Sequence, residues 1–386
     1  MPEKNSTAHV CLVSAQPIPN LTPLFDPTMA PSRVVLVVSP DMRRHANWLE
    51  KIIRPRGIQV ERWPIDDPWD IEAVQEQMLL LLEQETPQQT QLILNATGGT
   101  KPMSIAAYEA FRAYGFPIFY VHPEQDRVVW LHPHDHPVFN LPDRIRLESL
   151  LMAHGAVVEG KLQRGPVHSV LLETAEDLVR DITQLQQPLK NLNWLAYNAE
   201  KEGRRSVTLD SRQQADGRLM SLIDLFNKAN VMHLKGGELI FNGEDARFFV
   251  NGGWFELYVY EQARQLRPSG KPLQDIGRGV VVKREIRGQR VPNELDVAFL
   301  QDNRLYLIEC KTRQWAGRKG DRPGANAIYK LDTLKDLLGG LQARAMLVSY
   351  QDMPDHDRRR AADLGIKVCA GRDVQRLNEF LKQWIN

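Results

Sequence analysis

The first 160 residues alternate between short apolar runs and stretches with a helical spacing of apolar positions. The apolar runs predict strands over 10–14, 33–39, 59–65, 91–95, 117–122 and 128–131. The amphipathic stretches between them predict helices over 42–53, 71–84 and 102–114. This alternation is typical of a parallel, doubly wound α/β sheet with helices on both faces. Because such sheets bind ligands outside the carboxyl ends of their strands, the loops at those ends are the candidate binding site.

The pattern changes twice further along the chain. Between 170 and 229 it is helical, and two short strands over 231–234 and 238–241 follow, which together resemble a small winged-helix module. The last part predicts a helix over 253–266, strands over 280–286, 295–301 and 304–310, and then a helix, strand, helix and strand up to residue 370. Trp194, Trp254 and Trp384 are assigned to the core. We therefore predict three parts: a Rossmann-like domain over 1–160, a helical, winged-helix-like segment over 161–250, and a mixed α/β domain over 251–386.

Composition narrows the class of protein. The 386 residues include 49 Lys and Arg against 48 Asp and Glu, so the net charge of +1 gives no global basic field. No apolar run approaches the roughly 18 residues of a membrane span, and the N-terminus lacks the layout of a signal peptide. Three cysteines without metal-site spacing predict no disulfide framework. We expect a cytoplasmic protein with no membrane partner.

A glycine-rich loop joins the strand over 91–95 to the next helix, in the order Asn-Ala-Thr-Gly-Gly-Thr-Lys-Pro-Met. The two glycines allow close approach of the backbone, and the helix N-terminus and Lys101 add positive charge, which suits a phosphate or phosphodiester. The spacing is not that of a Walker A motif. From the residues alone, a plain connecting turn remains an equal alternative.

A second loop raises the weight of the ligand interpretation. The first strand ends in Val-Ser-Ala-Gln-Pro-Ile-Pro-Asn-Leu (13–21), and the second ends in Ser-Pro-Asp (39–41), so three loops meet at one rim. Together, the loops after the first and fourth strands resemble those of the CRISPR-associated Rossmann-fold (CARF) sensor domain, over about residues 8–150. The resemblance implies a homodimer that binds a cyclic oligoadenylate across its two-fold axis. It implies as lining residues Ser14, Gln16, Asn20, Ser39, Thr97, Gly98, Gly99, Thr100, Lys101 and Met103.

A second constellation lies in the hairpin over 293–311. Asp302 and Asn303 are a good two-residue turn, and that turn sets Asp296 opposite Glu309 and Glu294 opposite Lys311. Neighbouring carboxylates on one face favour a divalent cation, and oxygen ligands suit Mg²⁺ or Mn²⁺. The alternative is a solvated face balanced by a Glu294–Lys311 ion pair. The apolar residues that precede Glu309 on the same face of its strand argue against it.

Asp296 followed, after a hairpin, by Glu309-x-Lys311 resembles the PD-(D/E)XK restriction-endonuclease-like superfamily. The resemblance implies that Asp296, Glu309 and the Cys310 carbonyl hold the metal, and that Lys311 orients or activates the attacking water. Glu256, on the helix before the hairpin, matches the acid that completes such sites. A half-buried Glu256 paired with a nearby arginine is the alternative.

Local charge agrees with a polyanionic substrate. Residues 277–290 carry five Lys or Arg against one acid, and residues 311–330 carry six against one. Trp315 lies in the second stretch, and we interpret its loop as able to contact a phosphate backbone or stack on a base.

The two resemblances together are typical of ancillary nucleases of type III CRISPR systems. They imply a metal-dependent endonuclease, activated by cyclic tetra-adenylate, that cleaves or nicks DNA and acts on single-stranded RNA as a further substrate. Two alternatives stay open at this point: a ligand-gated nucleic-acid-binding regulator without catalysis, and a stand-alone repair nuclease.

Overall fold

The structure is a computed structural model that describes residues 7–85, 91–122, 124–286, 288–313, 315 and 323–385. Its strands form three sheets, and its helices pack against them. Within the described residues, every helix is too short or too polar to cross a membrane.

The first sheet and its helices occupy the N-terminal third of the chain. Its strands are β1 (Thr7–Leu12), β2 (Arg33–Val38), β3 (Gln59–Pro64), β4 (Gln91–Asn95), β5 (Ile118–His122), β6 (Arg127–His132) and β7 (Phe139–Asn140). Its helices are α1 (Ile18–Leu21), α2 (Arg43–Ile53), α3 (Ile71–Glu85), α4 (Lys101–Ala113) and α5 (Leu147–Ala153). The strand order is β3-β2-β1-β4-β5-β6-β7, with β1 to β5 parallel and the last two antiparallel. The predicted Rossmann-like sheet is confirmed.

A short strand, β8 (Ala156–Val158), follows α5 and leads into the middle segment. The helices and strands of that segment are α6 (Ser169–Arg180), α7 (Ile182–Lys201), β9 (Ser206–Thr208), α8 (Ser211–Ala215), α9 (Gly217–Lys228), β10 (Met232–Lys235), β11 (Glu238–Phe241) and α10 (Glu244–Phe248). The predicted hairpin is present, and β9 adds a third strand in the order β10-β11-β9.

The last sheet has six strands in the order β16-β15-β14-β13-β12-β8. Its remaining members are α11 (Trp254–Arg264), β12 (Asp275–Ile286), β13 (Gln289–Gln301), β14 (Arg304–Lys311), α12 (Pro323–Gly339), β15 (Arg344–Ser349), α13 (Asp355–Asp363), β16 (Lys367–Ala370) and α14 (Leu377–Ile385). Strand β8, which lies within the predicted 1–160 domain, pairs with β12 and forms an edge of the last sheet. The division of the chain at residues 160 and 250 stays a prediction.

One apolar core is shared by the two sheet domains. Ile53 of α2 and Leu147 of α5 lie in the same buried cluster as Leu295 of β13 and Leu305 of β14. The backbone N–H of Leu147 also donates to the carboxylate of Asp275 in β12 at 2.9 Å. The two domains are therefore packed against each other around a shared apolar core.

The tryptophans correct two expectations. Trp254 and Trp384 are buried, as predicted, but Trp194 is 58% exposed, so its assignment to the core is wrong. The buried positions of α7 include Leu189, Leu192 and Leu195, and Trp194 lies outside that face of the helix. Trp315, predicted in an exposed loop, is 8% exposed, and its Nε1–H donates to Ser349 Oγ at 2.9 Å.

Candidate functional site

The glycines of the loop after β4 fit against the end of β1. A Cβ atom on Gly98 would lie 2.0 Å from the carbonyl oxygen of Leu12, so no side chain fits there without movement of the backbone. Gly99 has φ +74, in the left-handed region that glycine adopts without strain. The sequence is Gly-Gly here because the two loops come within contact of each other.

Two asparagines join these loops. Asn20, almost fully buried, donates from Nδ2 to the Leu12 carbonyl at 2.9 Å and accepts at Oδ1 from Asn95 Nδ2 at 3.2 Å. Asn95 also accepts from the Thr97 hydroxyl at 2.6 Å. Asn20 was predicted as a lining residue, and the structure places it beneath the rim. Asn95 was not singled out, although an asparagine directly before a glycine-rich turn is a known turn-stabilising residue.

Helix α4 begins at this loop. Thr100 is its N-cap: the hydroxyl accepts from the Met103 N–H at 3.3 Å and donates to the Pro68 carbonyl at 2.6 Å. Lys101 is exposed at the first helical position, where the helix dipole is positive. The Met103 side chain, predicted in the lining, lies in the core at 1% exposure, and its backbone N–H donates to the Thr100 cap.

The remaining rim residues come from the loops after β1 and β2. Ser14 is half-buried, and its hydroxyl accepts from the Gln16 N–H at 3.3 Å. Ser39 is buried at the end of β2. Gln16 reaches the other domain, because its Oε1 accepts from the backbone N–H of Leu341 at 3.2 Å. We call the loops at 14–20 and 96–101 the sensor rim. It contains the predicted residues Ser14, Gln16, Asn20 and 97–101, and Gln16 contacts the C-terminal domain.

The hairpin of β13 and β14 has the predicted register. Asp302 and Asn303 both have positive φ, 50° and 54°, as a two-residue turn of this hand requires. The ladder runs from Gln301 opposite Arg304 to Val297 opposite Ile308. Its next positions are Asp296 and Glu309, which brings the two predicted acids to the same end of the paired region.

Backbone and charge fix this pair of acids. The N–H of Cys310 donates to Asp296 Oδ2 at 2.7 Å, and Lys311 Nζ forms an ion pair with Glu309, which is 5% exposed. Burial opposes the charged form of Lys311, but the carboxylates of Glu309 and Asp296 outweigh it and raise the pKa of Lys311. The lysine is therefore held as a cation beside the acids.

Glu256 comes to the same place from α11. A kinked segment, Phe249–Gly253, precedes that helix, and Gly252 within it has φ +114. A Cβ atom on Gly252 would lie 2.7 Å from Thr312 Oγ1, so the glycine lets the start of α11 approach the end of β14. Burial, followed by the charges of Asp296, Glu294 and Glu309, raises the pKa of Glu256 to about 9.

The acids repel one another in this site. Burial and then the charge of Glu309 raise the pKa of Asp296 to about 7. Such shifts are typical of carboxylates crowded away from water without a compensating cation. In the described residues, no three side chains of His, Cys, Asp and Glu form a cluster of metal-binding size. The chemistry of the donors nevertheless fits Mg²⁺ or Mn²⁺, because carboxylate and carbonyl oxygens are the ligands these ions prefer.

The structure describes the two basic stretches, residues 277–290 and 311–330, to different extents. Part of the first lines a cleft of about 470 Å³ between α2 and the β12–β13 hairpin, where Arg44, Lys51, Lys283 and Arg290 surround Trp48. Much of the second, residues 316–322, lies outside the described residues.

Comparisons with known proteins decide the family. Residues 8–149 match the Card1 CARF domain, and residues 243–386 match the Card1-like endonuclease domain. Protein VC1899 from Vibrio cholerae has 30% sequence identity and a TM-score of 0.88 over 98% of each chain. The chain belongs to the Card1-like family of CARF nucleases. This confirms the prediction of a CARF-domain nuclease of the kind that cyclic oligoadenylates activate in CRISPR defence.

Two further solved structures are similar to this Card1-like nuclease. Can2 from Sulfobacillus thermosulfidooxidans, in complex with cyclic tetra-adenylate, has 28% identity and a TM-score of 0.80, over 98% of this chain and 99% of Can2. A type III CRISPR defence DNA nuclease activated by cyclic oligoadenylate shares the fold at 20% identity and a TM-score of 0.55, over 90% of this chain and 46% of its own. No curated protein matches the chain.

Proposed function

We propose that this nuclease is a metal-dependent phosphodiester hydrolase with a PD-(D/E)XK site. The observation that carries the proposal is the position of Asp296, Glu309 and Lys311 at one end of a hairpin, with Glu256 brought to them by α11. A structural ion pair would need one carboxylate for Lys311. The further buried acids are in excess of that requirement, and a cation site accounts for them.

The roles follow from the positions. Asp296, Glu309 and the Cys310 carbonyl would hold the cation, with Glu256 completing the donor set, and a bound divalent cation supplies positive charge to the scissile phosphate. Lys311, kept charged by Glu309, lies where it orients the attacking water and stabilises negative charge that develops on the phosphate oxygens.

The proposed activator is cyclic tetra-adenylate, the ligand named for the similar Can2 structure. The rim supports a phosphodiester ligand because it combines a close Gly-Gly turn, the N-terminus of a 13-residue helix and the exposed Lys101. A cyclic tetranucleotide is two-fold symmetric, so a homodimer is its natural complement. The surface beside α4 supports a second copy, since Ile105 of α4 is 50% exposed and Tyr120 of β5 is 36% exposed at a cleft of about 550 Å³.

The proposed substrate is DNA, with single-stranded RNA as a further substrate. Supercoiled plasmid and single-stranded oligonucleotides incubated with Mn²⁺ or Mg²⁺, with and without cyclic tetra-adenylate, test this directly. We expect cleavage to require both the cation and the activator, and light scattering to give the mass of a dimer. Cleavage that persists in excess chelator would contradict the metal site, and cleavage that ignores the activator would contradict the sensor assignment.

A further inference from the structure

An exposed aromatic surface lies beside the end of the catalytic strand. Trp194 is 58% exposed and Tyr197 is 43% exposed, and both come from α7 of the middle segment. They line a cleft of about 330 Å³ together with Lys190, Asn193, Thr312, Arg313 and Gln351. Large apolar side chains at this exposure on one helix face are the kind of surface that marks a binding site.

Cations surround the aromatic rings. The guanidinium of Arg313 lies over the Tyr197 ring, 5.3 Å from its centre, and Lys190 is exposed on the same helix. An aromatic face with arginine and lysine beside it provides both elements of single-strand recognition: stacking on the base and attraction of the phosphate.

An unpaired polar atom points to a ligand independently. Asn193 is 7% exposed, and its Nδ2 donates to Thr312 Oγ1 at 3.4 Å, but its buried Oδ1 has no hydrogen-bond partner among the described residues. Leaving a buried amide oxygen unsatisfied costs free energy, and a donor from a molecule in the cleft would recover it. The amino and imino groups of nucleobases are such donors.

The cleft lined by Trp194 and Tyr197 begins at the end of β14, the strand that carries Glu309 and Lys311. Thr312 and Arg313 directly follow Lys311, so their Cα atoms are within about 4 and 8 Å of it along the chain. A strand of nucleic acid whose phosphate lies at Lys311 would therefore place a neighbouring base within reach of α7.

We propose that Trp194 and Tyr197, with Arg313 and Lys190, form a stacking surface for an unpaired base next to the scissile phosphate. This rests on the proposed nuclease function and deepens it, because it names the residues that would hold a base beside the scissile phosphate. A paired base keeps its faces covered by its neighbours in the duplex, so the surface selects against an intact duplex.

The test measures binding, separately from cleavage. In a Glu309→Ala background, fluorescence anisotropy reports the affinity for a labelled single-stranded oligonucleotide and for the matched duplex. We expect Trp194→Ala to weaken single-strand binding by about 10-fold, since stacking on one aromatic ring contributes on that order, and to change duplex binding much less. Trp194→Phe keeps a ring and is expected to retain most of the affinity.

Trp69→Ala is the matched control, since Trp69 is 70% exposed but lies in the sensor domain. Unchanged single-strand affinity in Trp194→Ala would overturn the proposal, and so would equal losses for single strand and duplex. Conversion of a dimer to a monomer by Trp194→Ala would show that the surface joins two copies of the chain instead. Absence of cleavage by the wild-type protein would refute the proposed function and leave the binding result intact, so the two failures are distinguishable.

Discussion

The sensor rim and the proposed nuclease site differ in what their side chains do. At the rim, the side chains of Asn20, Asn95 and Thr100 form hydrogen bonds that hold the loops in place, and position 98 has no room for a side chain. Lys101 adds an exposed positive charge to this rim. The proposed nuclease site instead brings together ionisable side chains whose charges repel, such as those of Glu256 and Asp296. Hydrogen bonds hold the rim loops in place, whereas the buried carboxylates raise one another's pKa.

Removing a carboxylate is expected to have the largest effect. Glu309→Ala takes away a proposed metal oxygen and the partner of Lys311 together, so we expect cleavage to fall by at least about 100-fold. Activator binding should be unchanged, because the rim does not depend on this charge. Plasmid nicking rates and calorimetric titration with cyclic tetra-adenylate measure the two quantities, with the exposed Glu379→Gln as control. Near-normal cleavage in Glu309→Ala would place the catalytic centre elsewhere.

The complementary change acts on the rim alone. Lys101→Ala removes the one full charge at the start of α4, and we expect affinity for cyclic tetra-adenylate to fall by about 10- to 100-fold, as for loss of a charged hydrogen bond. Thermal stability should not change, because Lys101 is exposed. Lys51→Ala, another exposed lysine of the same domain, controls for net charge. An affinity equal to that of wild type would remove Lys101 from the site.

A substitution at Gly98 tests how closely the backbone of the rim is packed. Gly98→Ala puts a methyl group against the Leu12 carbonyl, which is backbone and cannot turn aside, so we expect a loss of stability of about 1–3 kcal/mol. Ligand affinity should fall with it. Gly165→Ala is the control, since nothing lies within 4 Å of a Cβ atom there. Equal unfolding midpoints for the two variants would show that the loop has room to spare.

The smallest effect concerns the contact between the two domains. Burial raises the pKa of Asp126 to about 7; the hydrogen bond from Asn303 opposes this, Asp143 and Asp302 add to it, and Arg304 opposes it. Because the folded state holds this proton more tightly than the unfolded state, the stability it contributes is present at low pH and is lost as pH rises through about 7.

Asp126→Asn removes that dependence. We expect the variant to melt a few degrees above wild type at pH 8.5 and to match it near pH 4, in differential scanning calorimetry at a series of pH values. Parallel pH profiles for the two proteins would show that Asp126 does not titrate near neutrality.

Local rules explain which parts of this molecule could be predicted. The register of the β13–β14 hairpin follows from its two turn residues, and the loop after β4 can be recognised from its two adjacent glycines. Trp194 was predicted to be buried and is exposed, whereas Trp315 was predicted to be available for contacts and is buried. Burial of a tryptophan depends on which face of its helix it occupies and on what its loop packs against. The reach of Glu256 depends on a kink before α11, and β8 joins a sheet whose other strands are distant in sequence; neither leaves a local pattern.

The pairing of β8 has a consequence for synthesis of the chain. Val158 emerges from the ribosome 124 positions before its partner Val282, which at about 5–20 residues per second is a delay of roughly 6–25 s. During that interval the apolar faces of α2 and α5, which include Ile53 and Leu147, have no nuclease sheet to cover them. The N-terminal domain is thus translated first, but these faces of its helices stay uncovered until the last sheet has been synthesised. Chaperone dependence and aggregation are expected to concentrate on nascent chains stalled between these two strands.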